Sequence, residues 1–197
     1  HPLLVYTDLK VVDQELQVVH ESMIRTQSDH ANTELVQELT ENTVTGGVSM
    51  INRALAQLWT GKEEHELLMH DWYLGLLASA FGNLVYIDKP GELYRQHSNN
   101  VLGARTLRKR VKNWVRPHVL FTKYWKLIKD SQTQARNLLV LPLTAKNREL
   151  IENFVTIMEV PFKERWRRIR QYGYRKNRTF HTLVFTSLIL TKFAYKE

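Results

Sequence analysis

Residues 70–97 read HDWYLGLLASAFGNLVYIDKPGELYRQH, and this stretch decides the fold. From His70 to Phe81 the residues Trp72, Leu74, Leu76, Leu77, Ala78 and Ala80 place apolar side chains around nearly the whole circumference of a helix, and Gly82 is a natural stop. A helix of that kind is buried. Leu84 to Ile87 then reads as a strand, Lys89-Pro90-Gly91 as a turn, and Glu92 to His97 as a second extended segment.

Upstream, Leu3-Leu4-Val5-Tyr6-Thr7 is a continuous apolar and β-branched run ending at Asp8, the pattern of a buried parallel strand. Val11-Val12 and Leu16 to Val19 suggest a small hairpin. Asn32 is placed to cap a helix running to about Glu41, with Leu35, Val36 and Leu39 on one face. Thr43 to Ile51 reads as a strand broken by Gly46-Gly47, and Asn52 as the cap of a short helix with Leu55, Leu58 and Trp59. Strands alternating with helices predict an α/β domain with a mixed sheet.

Beyond Gly103 the texture becomes helical, with segments from Arg105 to about Val115, Val119 to Ile128, Ala145 to Met158, Pro161 through Ile169, and Phe180 to Phe193. The predicted organisation is an α/β unit over 1–103 followed by a basic α-helical extension over 104–197. The charge changes at the same place. Residues 1–102 carry 6 Lys and Arg against 14 Asp and Glu, and the remainder carries 22 against 6, for a net charge of +8. An acidic half suits carboxylate chemistry and cations; a basic half suits phosphate or an anionic surface. With no Cys, disulfides, thiolate metal sites and a Cys nucleophile are excluded. No apolar run approaches the roughly 18 residues of a membrane span. The chain opens with His-Pro and enters an apolar run at once, which reads as the middle of a domain.

Two polar islands border the buried segments. Asp71, between His70 and Trp72, has two readings. As a first-turn acid it complements the helix dipole; as a carboxylate fixed beside aromatic rings it is a candidate general base. His97 follows Arg95 and Gln96. A single imidazole cannot hold a metal, but with carboxylates from elsewhere, Asp8 and Asp13 among them, it would complete a site for Mg²⁺ or Mn²⁺.

The succession LLVYTDLKVVDQ, NTVTGGVSMINRAL, HDWYLGLLASAFG and YIDKPGELYRQHSNNVLGA resembles the C-terminal part of the catalytic domain of bacterial family-two glycosyltransferases, the rhamnosyltransferase-like enzymes of cell-surface polysaccharide synthesis in particular. The four motifs fall in order over residues 3–104; the helical remainder matches only in its basic, helical character. The resemblance implies part of a GT-A fold, a nucleotide-sugar donor, a saccharide or lipid-linked saccharide acceptor, and a divalent cation in the complete enzyme. It implies that Asp71 is the catalytic base and that His97 coordinates the cation or binds the diphosphate, with Arg95 and Gln96 nearby. Gly46 and Gly47 would line the acceptor and donor-sugar pocket, His70 would contact substrate, and Trp72 would stack on a sugar or form the pocket wall.

The departure is as informative. The family's Asp-x-Asp metal motif lies upstream of the strand that LLVYTD resembles, and this sequence contains no Asp-x-Asp. The expectation is therefore that this polypeptide alone neither binds donor or cation tightly nor turns over.

The basic tail carries RTLRKRVKNWVRPH and KERWRRIRQYGYRKNR. Such runs form a solvated helix face, or attach to an anionic leaflet with Trp114, Trp125, Trp166 and the segment from Phe180 to Phe193 inserting. Attachment suits a cytoplasmic enzyme peripheral to the inner face of the plasma membrane. Nucleic-acid binding is the rival from another class; it is disfavoured because no nucleic-acid motif accompanies the charge and the acidic half repels a polyanion. A noncatalytic interaction or membrane-association domain is the alternative to an enzyme.

Overall fold

The computed structural model describes residues 1–59, 67–96 and 117–195, and side chains throughout except those of 117–120. The predicted helix between Arg105 and Val115 lies outside the described residues, as do His97 and Trp114.

The centre is β1 (Leu3–Val12), longer than the run that predicts it. Along one edge it pairs in parallel with β4 (Asn83–Arg95), from Leu3 opposite Asn83 to Val12 opposite Arg95. Along the other edge it pairs antiparallel with β3 (Ser49–Ile51) near its start and with β2 (Val18–His20) near its end. The mixed sheet and the helical region after it match the predicted class.

Three sequence expectations are corrected. Lys89-Pro90-Gly91 is not a turn but a bulge inside one continuous strand, where Asp8 lies opposite Pro90 and Leu9 opposite Glu92. Proline lacks an N–H to donate, which suits an irregular ladder position, and a Cβ on Gly91 would strike the side chain of Thr7. Thr43 to Ile51 is not one broken strand, because Gly46–Val48 closes into a 3₁₀ turn before the short β3. Asn32 does not cap a helix: α2 (Leu35–Thr40) is capped by a reciprocal box of Glu34 and Gln37. Asn52 does cap α3 (Arg53–Trp59), its Oδ1 accepting from Leu55 N–H at 3.0 Å.

β1 continues past Asp8 because that carboxylate turns inward. It accepts the N–H groups of Leu9, Met23 and Ile24 at 2.7, 3.1 and 3.1 Å and a hydrogen bond from Ser22, the N-cap of α1 (Met23–Gln27). Helix α4 (His70–Phe81) spans the predicted stretch and lies against β1 and β4. Its C-cap, Gly82, has extended backbone, and glycine is needed there because a Cβ would collide with the Pro2 carbonyl at the start of β1.

After residue 116 come α5 (Pro117–Arg136), α6 (Ala145–Val155), α7 (Phe162–Tyr172) and α8 (Thr179–Thr191). Thr144 caps α6, Pro161 precedes α7, and Gly173, in the left-handed region, ends it. One apolar cluster runs from Leu4 and Tyr6 through Leu76 and Leu77 to Ile128, Phe154 and Ile189, so sheet and helices share a core. Among the described residues no helix is long and apolar enough to cross a membrane.

Candidate active site

Helix α4 is held at both ends by polar side chains of the helical region. Gln134 of α5, fully buried, donates to the Met69 carbonyl at 3.0 Å just before the helix, and Asn147 of α6 donates to the Ala80 carbonyl at 2.8 Å in its last turn. This fixes the first turn, where His70 is exposed and Asp71 half-buried. Asp71 Oδ1 accepts the Trp72 N–H at 2.7 Å, and the second oxygen takes no hydrogen bond among the described residues. The carboxylate thus has a fixed base in the field of the helix N-terminus and an oxygen left for another donor.

The Gly-Gly turn meets this end of the helix. A Cβ on Gly46 would lie 2.7 Å from His70 Nε2, so the imidazole occupies the space that glycine leaves. Gly47 is roomier; a Cβ there would make ordinary contact, 3.7 Å, with Glu92 Oε2 on β4. Three separate segments, the 3₁₀ turn, the start of α4 and the second half of β4, therefore adjoin at the side where the parallel strands point. Ligands of open α/β sheets sit at that side.

Other expected contributors are elsewhere. Trp72 is a core residue, 6% exposed, with its indole N–H given to the Glu38 carbonyl at 2.8 Å. It has no ring face to offer a sugar, because the rotation that points Asp71 outward points the next residue inward. Arg95 ends β4 and Gln96 follows it, bonded by its N–H to the Val12 carbonyl. Arg95 is exposed and Gln96 half-buried. Asp8 is consumed by the α1 cap, and Asp13 Oδ1 accepts the N–H groups of Glu15 and Gln17 within the β1–β2 hairpin. Among the described residues no group of three metal-ligating side chains converges, so these residues do not fit a cation site. His97, the expected ligand of cation or diphosphate, lies outside the described residues.

Glu38 was not singled out from the sequence. It stands in α2 with no exposed surface; Oε1 accepts from Asn32 Nδ2 at 2.9 Å, and Oε2 has no partner among the described residues. A Cβ on Gly75 would lie 2.9 Å from that oxygen, and Gly75 is one turn along α4 from Asp71. Burial, with smaller contributions from the charges of Asp71 and Glu41, pushes its carboxyl up to about 8. The available signal was Gly75, since glycine inside an apolar helix weakens it unless another group must come close.

Around Glu38 a buried polar network joins the two regions. Tyr6 donates its hydroxyl to the Asn32 carbonyl at 2.7 Å, and burial holds that phenol well above its usual range. Asn177, from the segment between α7 and α8, reaches Asn32 Oδ1, Ser28 Oγ and the His30 carbonyl at 2.7, 2.9 and 3.2 Å.

No family model, curated protein or solved structure matches this chain.

Proposed function

We propose that the chain is the acceptor-side portion of a GT-A glycosyltransferase of the family-two, rhamnosyltransferase-like kind. In the complete enzyme it would transfer a sugar, rhamnose being the reading closest to the sequence, from a nucleotide-sugar to a saccharide or lipid-linked saccharide in cell-surface polysaccharide synthesis. The observation that supports this best is the meeting of the Gly-Gly turn with His70 beside Asp71, at the strand ends where such a site would lie.

In this reading Asp71 removes the proton of the acceptor hydroxyl. The oxygen attacks the anomeric carbon as the bond to the diphosphate breaks, with inversion. His70, lying against Gly46, borders the acceptor, and Gly47 leaves room for a sugar ring.

Asp71→Asn in the complete enzyme is expected to lower the transfer rate by about 10²–10⁴, the range of general-base catalysis, with donor binding little changed. Retained turnover removes Asp71 from the role. For this polypeptide alone the expectation is no detectable transfer; tight, metal-dependent binding of a nucleotide-sugar in calorimetry would overturn it. We place the complete enzyme at the cytoplasmic face of the membrane, where a lipid-linked acceptor would be presented.

A further inference from the structure

Helix α8 carries apolar side chains on more than its buried side. Phe185, Leu188 and Ile189 point into the core, while Phe180 is 58% and Leu183 63% exposed. With Ser187 and Thr191 these form a single row at spacings of three and four residues, the row that faces away from the core. Beside it an open groove of about 410 Å³ is lined by Phe121, Leu183, Val184, Leu188, Thr191 and Phe193.

Helix α7 continues this surface. The buried Arg165 donates to the Leu190 carbonyl at 2.8 Å, pinning the first turn of α7 to the last turn of α8. Phe162 and Trp166, both about half exposed, occupy the row of α7 next to Arg165, the residue that is bound to α8. Arg170 lies over the Trp166 ring, 4.8 Å from its centroid.

The charge around this surface selects its partner. Of the nine Lys and Arg from Pro161 to Lys192, Arg165 and the Lys176 amine are buried, Arg178 is bound to the Arg25 and Thr26 carbonyls, and Arg167 and Arg168 pair with Glu164, the one acid of the segment; Lys163 and Arg170 are exposed and Lys192 half-buried. A second copy docking by two-fold symmetry would bring the same cations face to face. A nucleic acid would gain nothing from the aliphatic Leu183 and Val184. A surface with apolar depth and anionic headgroups satisfies both features.

We propose that Phe162 and Trp166 of α7, Phe180 and Leu183 of α8, and Phe193 form one interfacial face that beds into an anionic bilayer, with Lys163, Arg170 and Lys192 at headgroup level. This deepens the membrane-side reading above and rests on it for its purpose. It also corrects the expected set of inserting groups: Trp125 is buried and donates its N–H to the Phe193 carbonyl at 2.8 Å, so it cannot insert.

The test is flotation of the full chain with phosphatidylcholine vesicles, with and without phosphatidylserine. Binding is expected on the anionic vesicles, falling at least roughly tenfold in the double variant Phe180→Ser, Leu183→Ser. Lys163→Gln and Arg170→Gln should each weaken it roughly fivefold at low salt. Val140→Ser, which removes an exposed apolar side chain from another place, should change nothing. Circular-dichroism melting checks that the exposed substitutions leave the fold intact. No binding to anionic vesicles, equal binding by the double variant, or a dimer dissolved by it would each overturn the proposal. Asp71→Asn should leave flotation unchanged, so failure here and failure of the sugar-transfer reading are separately visible.

Discussion

Glu38 carries a proton at neutral pH because burial gives its charge nowhere to go, with its carboxyl raised from 4.5 to about 8. Between those values the folded chain keeps a proton that the unfolded chain releases. Stability from this group is therefore fully present below about 4.5, declines as pH rises, and is lost once pH passes about 8. The steepest slope one group can give is about 1.4 kcal/mol per pH unit. Melting curves from mildly acidic to alkaline pH should show the unsubstituted chain losing stability relative to Glu38→Gln, whose amide does not titrate. Parallel curves would mean that the carboxyl is solvated. Nothing local in QELTE announces such a group; the cue is the glycine across from it.

At the scale of elements, the two glycines that contact α4 separate a backbone obstacle from a yielding one. Gly82→Ala sets a methyl against the Pro2 carbonyl, which cannot move without shifting β1, and should cost roughly 1–3 kcal/mol in urea unfolding. Gly46→Ala meets only the exposed His70 imidazole, which can swing aside. It should cost under about 1 kcal/mol while moving the His70 resonances in NMR. The boundaries of α4 were legible because an unbroken apolar run with a terminal glycine has one reading. Lys-Pro-Gly was misread because turn chemistry and bulge chemistry use the same residues; the ten-residue partner strand decides between them. Asn32 looked like a cap because its type suits caps, whereas the fold uses its amide to join segments far apart in sequence.

For the whole molecule, the helical region is bound to the α/β part by specific polar contacts as well as by shared core. Gln134 and Asn147 grip α4 from 65 and 67 residues away, and Asn177 reaches Asn32 across 145. Single polar residues at such separations leave no periodic trace, so the support beneath the candidate base could not be read in advance, although Asp71 and the Gly-Gly turn could be named. Asn177→Ala takes a donor from the buried Asn32 and Ser28 side chains and should lower stability by about 1–3 kcal/mol. Hydrogen exchange should quicken at the Asn32 and Thr43 amides in the same variant; unchanged protection there would mean that the network is incidental.

Strand β4 has a neighbour on one flank only among the described residues, and Val85, Ile87 and Leu93 are exposed along it. Thirteen residues of backbone thus present a ready seam onto which a further strand can zip. A preparation of this polypeptide by itself should coalesce as its concentration rises, and a charged residue placed at Ile87 should keep it dispersed.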